Sequence, residues 1–395
     1  MQNTDMVRRR CLDRLLDLAD DPRMKVIIGP VYSGKTVLLR QIQGGLIMKG
    51  VSDNLIAKVS FDKGMGLVDS PETFLHVLEQ SCAFESGFLL IDSVHLAPDF
   101  AYTMNLFRLR HPKVSVYMTL SLNTMQPSVD ALNFIPKEDV VVTRLYPFTF
   151  REFMSRSPSD PDSAMLEFIS SGGFPFVHQG ISFEDRSMVF EGYVHILMTR
   201  LILRESKCSP LGISQLLNYI MANLTSPLTQ KDLVTNSGIA DNRTLEKYLQ
   251  RYIDSGMLFS LKGYQLDRAM KESTKFTFCA VDTLNGGFVD MESFPTLPVS
   301  VILANMTFIE LKVRGYDPCV LMSKGESIAF GVERDGRMQM IRVAAHASQD
   351  SSLSQFALFR SSSLPKLYLT LDKSFPDDPR MNHRNLPEFL LADDF

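Results

Sequence analysis

Gly29-Pro30-Val31-Tyr32-Ser33-Gly34-Lys35-Thr36 has the form G-x-x-x-x-G-K-T. It follows an apolar run at residues 24–28, which predicts a strand, and it precedes a stretch at residues 37–42 that predicts a helix. Glycines let successive backbone N–H groups turn toward one anion, and the helix N-terminus adds a positive dipole end. From average glycine usage, a chance match in such a chain is on the order of one in a hundred. The stretch therefore predicts a phosphate-binding loop within an α/β domain.

This loop predicts a nucleotide site whose ligands are ATP and Mg²⁺. Lys35 is expected to reach the β- and γ-phosphates, and the Thr36 hydroxyl is expected to ligate Mg²⁺. The predicted nucleotide contacts are Gly29, Pro30, Val31, Tyr32, Ser33, Gly34, Lys35, Thr36 and Val37.

A second strand that ends in an acid lies further along the chain. Gly87-Phe88-Leu89-Leu90-Ile91-Asp92 has the nearly continuous apolar pattern of a parallel strand buried on both faces. The carboxyl ends of such strands lie at the edge of the sheet where α/β proteins bind ligands. Asp92 is therefore predicted to be the Walker B aspartate that holds Mg²⁺ together with Thr36.

Other strands are predicted at residues 55–61, 114–121 and 140–143, and they alternate with predicted helices. This alternation indicates a doubly wound parallel sheet of the P-loop NTPase type. The strand at 114–121 ends in hydroxyl residues, which leaves two interpretations open. Either a polar side chain lies near the γ-phosphate, or the strand end simply enters a turn.

Composition limits the class of protein. The chain has 395 residues, of which 45% are hydrophobic and 22% are charged, as in globular proteins with two to four domains. The net charge of −4 gives no bulk attraction to nucleic acid or anionic membranes. The five cysteines form no C-x-x-C pair, which indicates neither zinc nor a disulfide framework. With no signal-peptide pattern and no run of 18 apolar residues, we expect a cytoplasmic protein without a membrane span.

Two later segments resemble a large group of prokaryotic AAA-type ATPases. Arg144-Leu145-Tyr146-Pro147-Phe148-Thr149-Phe150-Arg151-Glu152-Phe153 is similar to their R-L-Y-P-L-S-F-x-E-F segment, and Gly172-Gly173-Phe174-Pro175 is similar to their G-G-x-P segment. In related signalling ATPases the proline of this segment contacts adenine, which the resemblance places on Pro175. A helix C-cap glycine followed by a proline that ends the helix fits the same residues, and the two interpretations are compatible.

The resemblance implies four parts: a P-loop AAA-type ATP-binding domain at 1–158, a helical lid at 159–205, a winged helix-turn-helix at 206–268 and a C-terminal α+β domain at 269–395 with a restriction-endonuclease-like core. The residues predict helices at 184–205, 211–223, 229–237 and 241–254, and a wing hairpin that pairs 257–261 with 263–266. The last of these helices carries a basic stripe, Arg243, Lys247 and Arg251. Three acids on the same helix oppose DNA contact, and the resemblance implies that a winged helix serves as a lid or interaction module. DNA contact stays an open alternative.

The C-terminal part predicts short strands, at residues 276–281, 308–313, 319–322, 327–332, 338–344 and 367–371. In the resembled family this part often carries an acidic-x-acidic-Phe segment and then Glu-x-Lys, which nucleases need for Mg²⁺ and the attacking water. Here the matching stretches are Ser327-Ile328-Ala329-Phe330 and Arg342-Val343-Ala344. Because they lack the carboxylates and the lysine, nuclease chemistry is not expected.

The groups that would hydrolyse ATP also depart from the resembled pattern. The family follows its aspartate with Glu-Ile-Gln, whereas this chain has Asp92-Ser93-Val94-His95. General-base catalysis contributes about 10²–10⁴-fold, so hydrolysis is expected to be slow unless another group, such as His95, replaces the glutamate. The family's T-G-S is Thr119-Leu120-Ser121 here, which makes Ser121 the predicted phosphate sensor.

These features predict an ATP-binding AAA-type protein with Lys35, Asp92 and Ser121 as its catalytic residues. The favoured hypothesis is a weak ATPase whose nucleotide state positions its winged-helix and C-terminal domains. Two alternatives stay open: a non-hydrolysing switch or scaffold whose C-terminal domain recruits a protein partner, and a DNA-associated factor acting through the winged helix. The sequence leaves the oligomeric state open.

Overall fold

The computed structural model describes residues 7–61, 68–122, 132–155, 157, 159–178, 210–239, 241–283, 297–374 and 378–393. The chain divides into two compact units, Met1–Tyr146 and Pro147–Phe395. The expected first domain boundary, at residue 158, lies beyond the end of the first unit. The division into four parts stays a prediction, and the predicted helix at 184–205 lies outside the described residues.

The first unit contains a sheet of five parallel strands. These are β1 (Met24–Gly29), β2 (Ile56–Ser60), β3 (Gly87–Asp92), β4 (Val114–Ser121) and β5 (Val140–Arg144), in the order β2-β3-β4-β1-β5. All six residues of β1 are buried, because this strand has neighbours on both sides and both faces covered. The predicted parallel sheet is therefore confirmed, and its most enclosed strand leads into the glycine-rich loop.

Helices cover both faces of this sheet. On one face, α1 (Arg9–Asp17) and α2 (Lys35–Met48) bury Leu15 and Leu38 against Ile27. On the other face, α3 (Pro71–Ser81) and α4 (Phe100–Arg110) bury Phe74 and Phe107 in the opposite core. The odd and even residues of β1 thus enter different cores, as expected for a strand with side chains on alternating faces.

The second unit begins with short helices and a helix-turn-helix. Its helices are α5 (Phe150–Met154), α6 (Pro161–Ser171), α7 (Pro210–Ala222), α8 (Gln230–Ser237) and α9 (Asn242–Asp254), followed later by α10 (Val299–Val313), α11 (Ala347–Asp350), α12 (Ser354–Ser361) and α13 (Leu386–Leu391). Gly238 ends α8 with φ 66°, and the Asp241 side chain caps α9 by accepting from the Thr244 amide. The helices predicted at 211–223, 229–237 and 241–254 are confirmed.

A seven-stranded sheet forms the rest of this unit. The strands after β5 are β6 (Leu258–Leu261), β7 (Gly263–Gln265), β8 (Lys271–Glu272), β9 (Thr277–Ala280), β10 (Cys319–Ser323), β11 (Glu326–Arg334), β12 (Arg337–Val343), β13 (Lys366–Thr370) and β14 (Asn382–Asn385). The large sheet has the order β14-β13-β12-β11-β10-β7-β8, and β6 and β9 form a separate pair.

The strand predicted at 308–313 is wrong, because these residues belong to α10. Alternating apolar and charged residues in that short window imitate the period of a strand. The whole helix is instead buried on several sides, with Asn305, Thr307 and Glu310 buried beside the apolar residues. A helix without a solvent-facing polar side gives no clear helical period.

The predicted wing hairpin is wrong in its pairing. β6 pairs antiparallel with β9, whereas β7 pairs with β8 and runs parallel to β10. Only Lys262 separates β6 from β7, and the shortest common hairpin loops need two residues. The segment after β6 is therefore an edge of the large sheet, which joins the helix-turn-helix to the C-terminal strands within one unit.

None of the helices in the described ranges is long and apolar enough to cross a membrane.

Candidate functional site

The glycine-rich loop joins β1 to α2 in the first unit. Gly34 stands at the start of α2 with φ 92°, and Tyr32 also has a positive φ of 61°. Gly29 is needed for a different reason, since a Cβ there would lie 2.3 Å from the carbonyl oxygen of Leu145. The strand–loop–helix context that the motif requires is therefore present, with the loop packed against the end of β5.

Lys35 lies inside this loop with its ammonium on backbone carbonyls. The side chain is buried, and Nζ donates to Pro30 O at 2.7 Å and to Gly29 O at 3.1 Å. The Ser33 side chain is fully buried, and its hydroxyl has no hydrogen-bond partner among the described residues. A buried cation bound by neutral oxygens, next to an unsatisfied hydroxyl, is a donor set that fits an anionic phosphate.

Asp92 is the last residue of β3, and a threonine on the neighbouring strand holds it. Thr119 Oγ1 donates to Asp92 Oδ1 at 2.5 Å and accepts from the Ser93 amide at 2.8 Å. All three residues are buried. The hydroxyl thus fixes one carboxylate oxygen of Asp92 and the backbone that follows it.

The structure brings both predicted magnesium ligands to one cleft. Thr36 is exposed on the first turn of α2, and together with Asp92 it lines a cleft of about 460 Å³. Lys58 also lines this cleft, and its Nζ donates to Gln43 Oε1 at 3.3 Å. The remaining lining residues are Leu39, Arg40, Val59, Ser60 and Leu90.

A magnesium ion at this place would depend on its nucleotide. Within the described ranges, no group of three or more His, Cys, Asp or Glu side chains could hold a metal ion. Mg²⁺ commonly binds through one or two protein oxygens, with water and phosphate oxygens completing the octahedron. The pair Thr36 and Asp92 fits that mode.

Ser93 and His95 occupy the region where a catalytic glutamate would lie. Ser93 has a positive φ of 58°, and its amide is bound to Thr119. His95 is buried, and its Nδ1 accepts from the Ser121 amide at 3.4 Å. These contacts hold the imidazole against the backbone of β4, and the role of His95 as a substitute base stays a prediction.

Thr119 contacts a predicted magnesium ligand, and the sequence alone does not single it out for this role. Its hydroxyl touches Asp92, while the role of Ser121 as phosphate sensor stays a prediction. The signal is the register of two parallel strands, since β3 and β4 pair from Gly87 with Val114 through Ile91 with Met118. Counting one step further places Asp92 beside Thr119, so aligning the strand starts would have found it.

The two segments that carry the resemblance pack on each other in the second unit. The Phe148 amide donates to Gly173 O at 2.6 Å, and the Gly173 amide donates to Asp282 Oδ2 at 2.6 Å. A Cβ on Gly173 would lie 2.3 Å from Phe148 O, so this glycine is required by packing. Pro175 begins the short 3-10 helix Pro175–His178, and its contact with adenine stays a prediction.

Arg342, in the stretch compared above with the family's Glu-x-Lys segment, forms a buried ion pair. Arg342 binds Asp350 through both carboxylate oxygens, at 2.6 and 2.5 Å, and also donates to Ile328 O at 2.6 Å. The Tyr368 hydroxyl donates to Asp350 Oδ2 at 2.9 Å. Burial and the Asp350 charge raise the pKa of Tyr368 above its usual value, so this group is neutral.

The basic stripe of α9 is only partly exposed. Arg243 and Lys247 are exposed, whereas Arg251 is half-buried. Because β7 and β8 belong to the large sheet, they are not a free wing that could enter a groove of DNA. DNA contact through this helix stays an untested alternative.

Comparison with known proteins agrees with the loop and its sheet. Residues 21–154 match the family model described as an AAA domain. The match spans the glycine-rich loop and the five-stranded parallel sheet, and residues 155–395 lie outside it. A Haemophilus influenzae protein, described only as uncharacterized, is 22% identical over 383 residues, which cover 94% of each chain.

Solved structures show looser similarity. A Walker-type ATPase of Pyrococcus abyssi is 11% identical with a TM-score of 0.45, over 72% of this chain and 95% of that one. The Aeropyrum pernix ORC1 protein, in complex with DNA, is 10% identical with a TM-score of 0.33, over 78% and 94% of the two chains. The Thermotoga maritima RuvB Holliday junction branch migration motor is 15% identical with a TM-score of 0.32, over 64% and 89%. With TM-scores below 0.5, no property of these proteins is transferred to this chain.

Proposed function

We propose that the chain binds ATP with Mg²⁺ at residues 29–37 and hydrolyses it slowly. The observation that carries this proposal is the arrangement at the end of the sheet, where the glycine-rich loop with buried Lys35 leads into α2, and Thr36 and Asp92 line one cleft. A phosphate in the loop would form charge-assisted hydrogen bonds with Lys35, and such bonds are about twice as strong as those between neutral groups.

Each residue of the site has a role in this proposal. The loop amides cradle the β-phosphate, Lys35 binds the β- and γ-phosphates, and Pro175 contacts adenine. Thr36 and Asp92 hold the bound Mg²⁺, which neutralises charge on the phosphates. Thr119 orients Asp92 through the hydrogen bond between their side chains. The nucleotide state then sets the positions of the helix-turn-helix and the C-terminal strands.

Slow hydrolysis follows from the residue after Asp92. Ser93 cannot accept a proton at neutral pH, and general-base catalysis contributes about 10²–10⁴-fold. Phosphoryl transfer still gains from positioning and from the cations at the γ-phosphate, so residual turnover is expected.

Calorimetric titration with ATP and with ADP, each with and without Mg²⁺, tests the binding proposal. We expect saturable one-to-one binding by the wild type and severe loss with Lys35→Ala. Wild-type protein that gives no heat with either nucleotide, and no thermal stabilisation, would overturn it.

The second candidate is a switch that holds ATP without hydrolysis. It is favoured by the backbone of Ser93, whose amide is already bound to Thr119 in a left-handed conformation. Steady-state phosphate release from the wild type, Lys35→Ala and Asp92→Ala separates the two candidates. Turnover above that of Lys35→Ala supports a weak ATPase, and turnover equal to it supports the switch.

A further inference from the structure

Arg8 is a buried arginine that joins two separate segments of the first unit. It is 4% exposed, although its neighbours Val7, Arg9 and Arg10 are exposed. Its Nη1 donates to Tyr146 O at 2.8 Å and to Ser33 O at 3.1 Å. One guanidinium nitrogen therefore bridges the glycine-rich loop and the last residue of the unit.

The same two segments also touch through their backbones. The Leu145 amide donates to Ile28 O at 2.7 Å, next to the start of the loop. Leu145 O approaches Gly29 so closely that only glycine fits there. Residues 145–146 therefore contact the loop region at both ends. Leu145 contacts Ile28 and Gly29 through its backbone, and Tyr146 is joined to Ser33 through Arg8.

The loop is expected to rearrange when phosphate enters. Lys35 must leave Gly29 O and Pro30 O to reach a phosphate, and the loop amides must turn toward it. Ser33 O belongs to the peptide unit that leads into Gly34, so a rotation there moves the acceptor of Arg8. Arg8 also brings a second cation to the loop that contains Lys35, which favours an anion there.

We infer that Arg8 is a positioning residue that couples the conformation of the phosphate-binding loop to the point where the chain leaves the first unit. This inference rests on the proposed nucleotide binding. With nucleotide bound, the Ser33 carbonyl shifts, and Arg8 transmits the shift to the Tyr146 carbonyl. Without the guanidinium, only the backbone contacts at Ile28 and Gly29 join the two segments, and a shift at Ser33 does not reach Tyr146.

Amide hydrogen exchange at Leu145, read with and without Mg²⁺-nucleotide, tests this coupling. The proteins are wild type, Arg8→Ala, Arg8→Lys and the control Arg9→Ala. The control removes the neighbouring exposed arginine, at the first position of α1. In nucleotide-free protein we expect Arg8→Ala to speed exchange at Leu145 and in the loop by about tenfold, since local opening sets the rate. Arg9→Ala should match the wild type. Arg8→Lys, which keeps the charge but not the fork, should fall between them.

Nucleotide affinity gives the second readout. We expect Arg8→Ala to weaken Mg²⁺-ATP binding by about tenfold, and added methylguanidinium to restore part of it, which a merely unfolded helix would not allow. Wild-type exchange at Leu145 should respond to nucleotide, and that response should vanish in Arg8→Ala. Exchange that changes only within α1, with affinity and the response at Leu145 intact, would overturn the inference.

Failure of the proposed function gives a different pattern. If the wild type binds no nucleotide, the proposed function fails, and exchange in the nucleotide-free proteins still decides whether Arg8 holds the two segments together. Exchange at Leu145 that has the same rate in wild type, Arg8→Ala and Arg8→Lys would then also reject the bridge made by Arg8.

Discussion

Lys35 and Arg342 are buried cations, one in each unit, and their surroundings differ. Lys35 lies in a glycine-rich loop and donates to two backbone carbonyls of that loop. Arg342 instead binds a carboxylate through two nitrogens, and a tyrosine hydroxyl binds the same carboxylate. The charge of Arg342 is therefore neutralised inside the fold, whereas Lys35 lies where a phosphate is proposed to bind.

This difference separates a binding site from a structural one. Lys35 belongs to a loop at the carboxyl end of a parallel strand, which is where α/β proteins bind ligands. Arg342 and Asp350 are both buried and bind each other through two hydrogen bonds, so this pair serves the fold.

The largest effect is expected from Arg342→Ala. The change leaves Asp350 as a buried carboxylate without its bidentate partner, which typically costs about 3–5 kcal/mol. Urea unfolding should show this loss, while Mg²⁺-ATP affinity stays within about twofold. Arg337→Ala, on an exposed position of the same strand, is the control. A loss below about 1 kcal/mol would mean that Arg342 is not a structural ion pair.

Lys35→Ala should show the reverse pattern. We expect Mg²⁺-ATP affinity to fall by about a hundredfold, or about 2.7 kcal/mol, because the phosphates lose their main cation. Stability should fall by less than with Arg342→Ala, by no more than about 1.5–3 kcal/mol, which is the contribution of hydrogen bonds to a charged group. Titration and urea unfolding measure the two effects, with Lys113→Ala as an exposed control. Unchanged affinity would contradict the role of the loop.

Thr119→Val tests how Asp92 is held. Valine has nearly the same shape, but it removes the donor to Asp92 and the acceptor of the Ser93 amide. Hydrogen bonds to charged groups contribute about 1.5–3 kcal/mol, so the gain in ATP affinity on adding Mg²⁺ should shrink by about tenfold. Thr119→Ser, which keeps the hydroxyl, should retain most of that gain. An identical Mg²⁺ dependence in wild type and Thr119→Val would remove Thr119 from the site.

Lys25 is another buried cation, and it provides the smallest test. Its Nζ donates to Asp21 O and to Ser115 Oγ, and burial lowers its pKa to about 8, with Asp21 and Asp20 opposing the shift. Above that pKa the unfolded chain holds a proton that the folded chain has lost, so stability rises with pH. Between about pH 8 and about pH 9 the gain should be about 1 kcal/mol.

Lys25→Met isolates this contribution. Burial also raises the pKa of Cys82 and of Cys319 to about 11, and their titration affects both proteins equally. Urea unfolding of wild type and Lys25→Met across this pH range should therefore differ in slope. Parallel slopes would show that Lys25 stays protonated in the folded chain.

Much of the first unit could be predicted because its signals are local. An apolar run, a glycine-rich loop and an acid at a strand end each follow from neighbouring residues, and the structure brings Thr36 and Asp92 to one cleft. The role of Ser121 as phosphate sensor stays a prediction. The contact between Thr119 and Asp92 depends on the register between two strands, which a single strand does not encode.

The second unit was harder to predict because its errors arise from tertiary context. Residues 308–313 alternate like a strand but lie in a helix that is buried on several sides. The segment after Lys262 was read as a local hairpin, yet β7 pairs with β10, more than fifty residues away in the chain. The Arg342–Asp350 pair is likewise visible only once β12 and α11 meet.

A single-turnover measurement tests the binding of ATP with slow hydrolysis most directly. Protein in excess is mixed with γ-labelled ATP and Mg²⁺, and bound nucleotide and released phosphate are followed together. We predict complete binding and cleavage slower than about 0.1 s⁻¹, about a hundredfold below a typical kcat of about 10 s⁻¹. Nucleotide that stays unbound, or cleavage at about 10 s⁻¹, would contradict it.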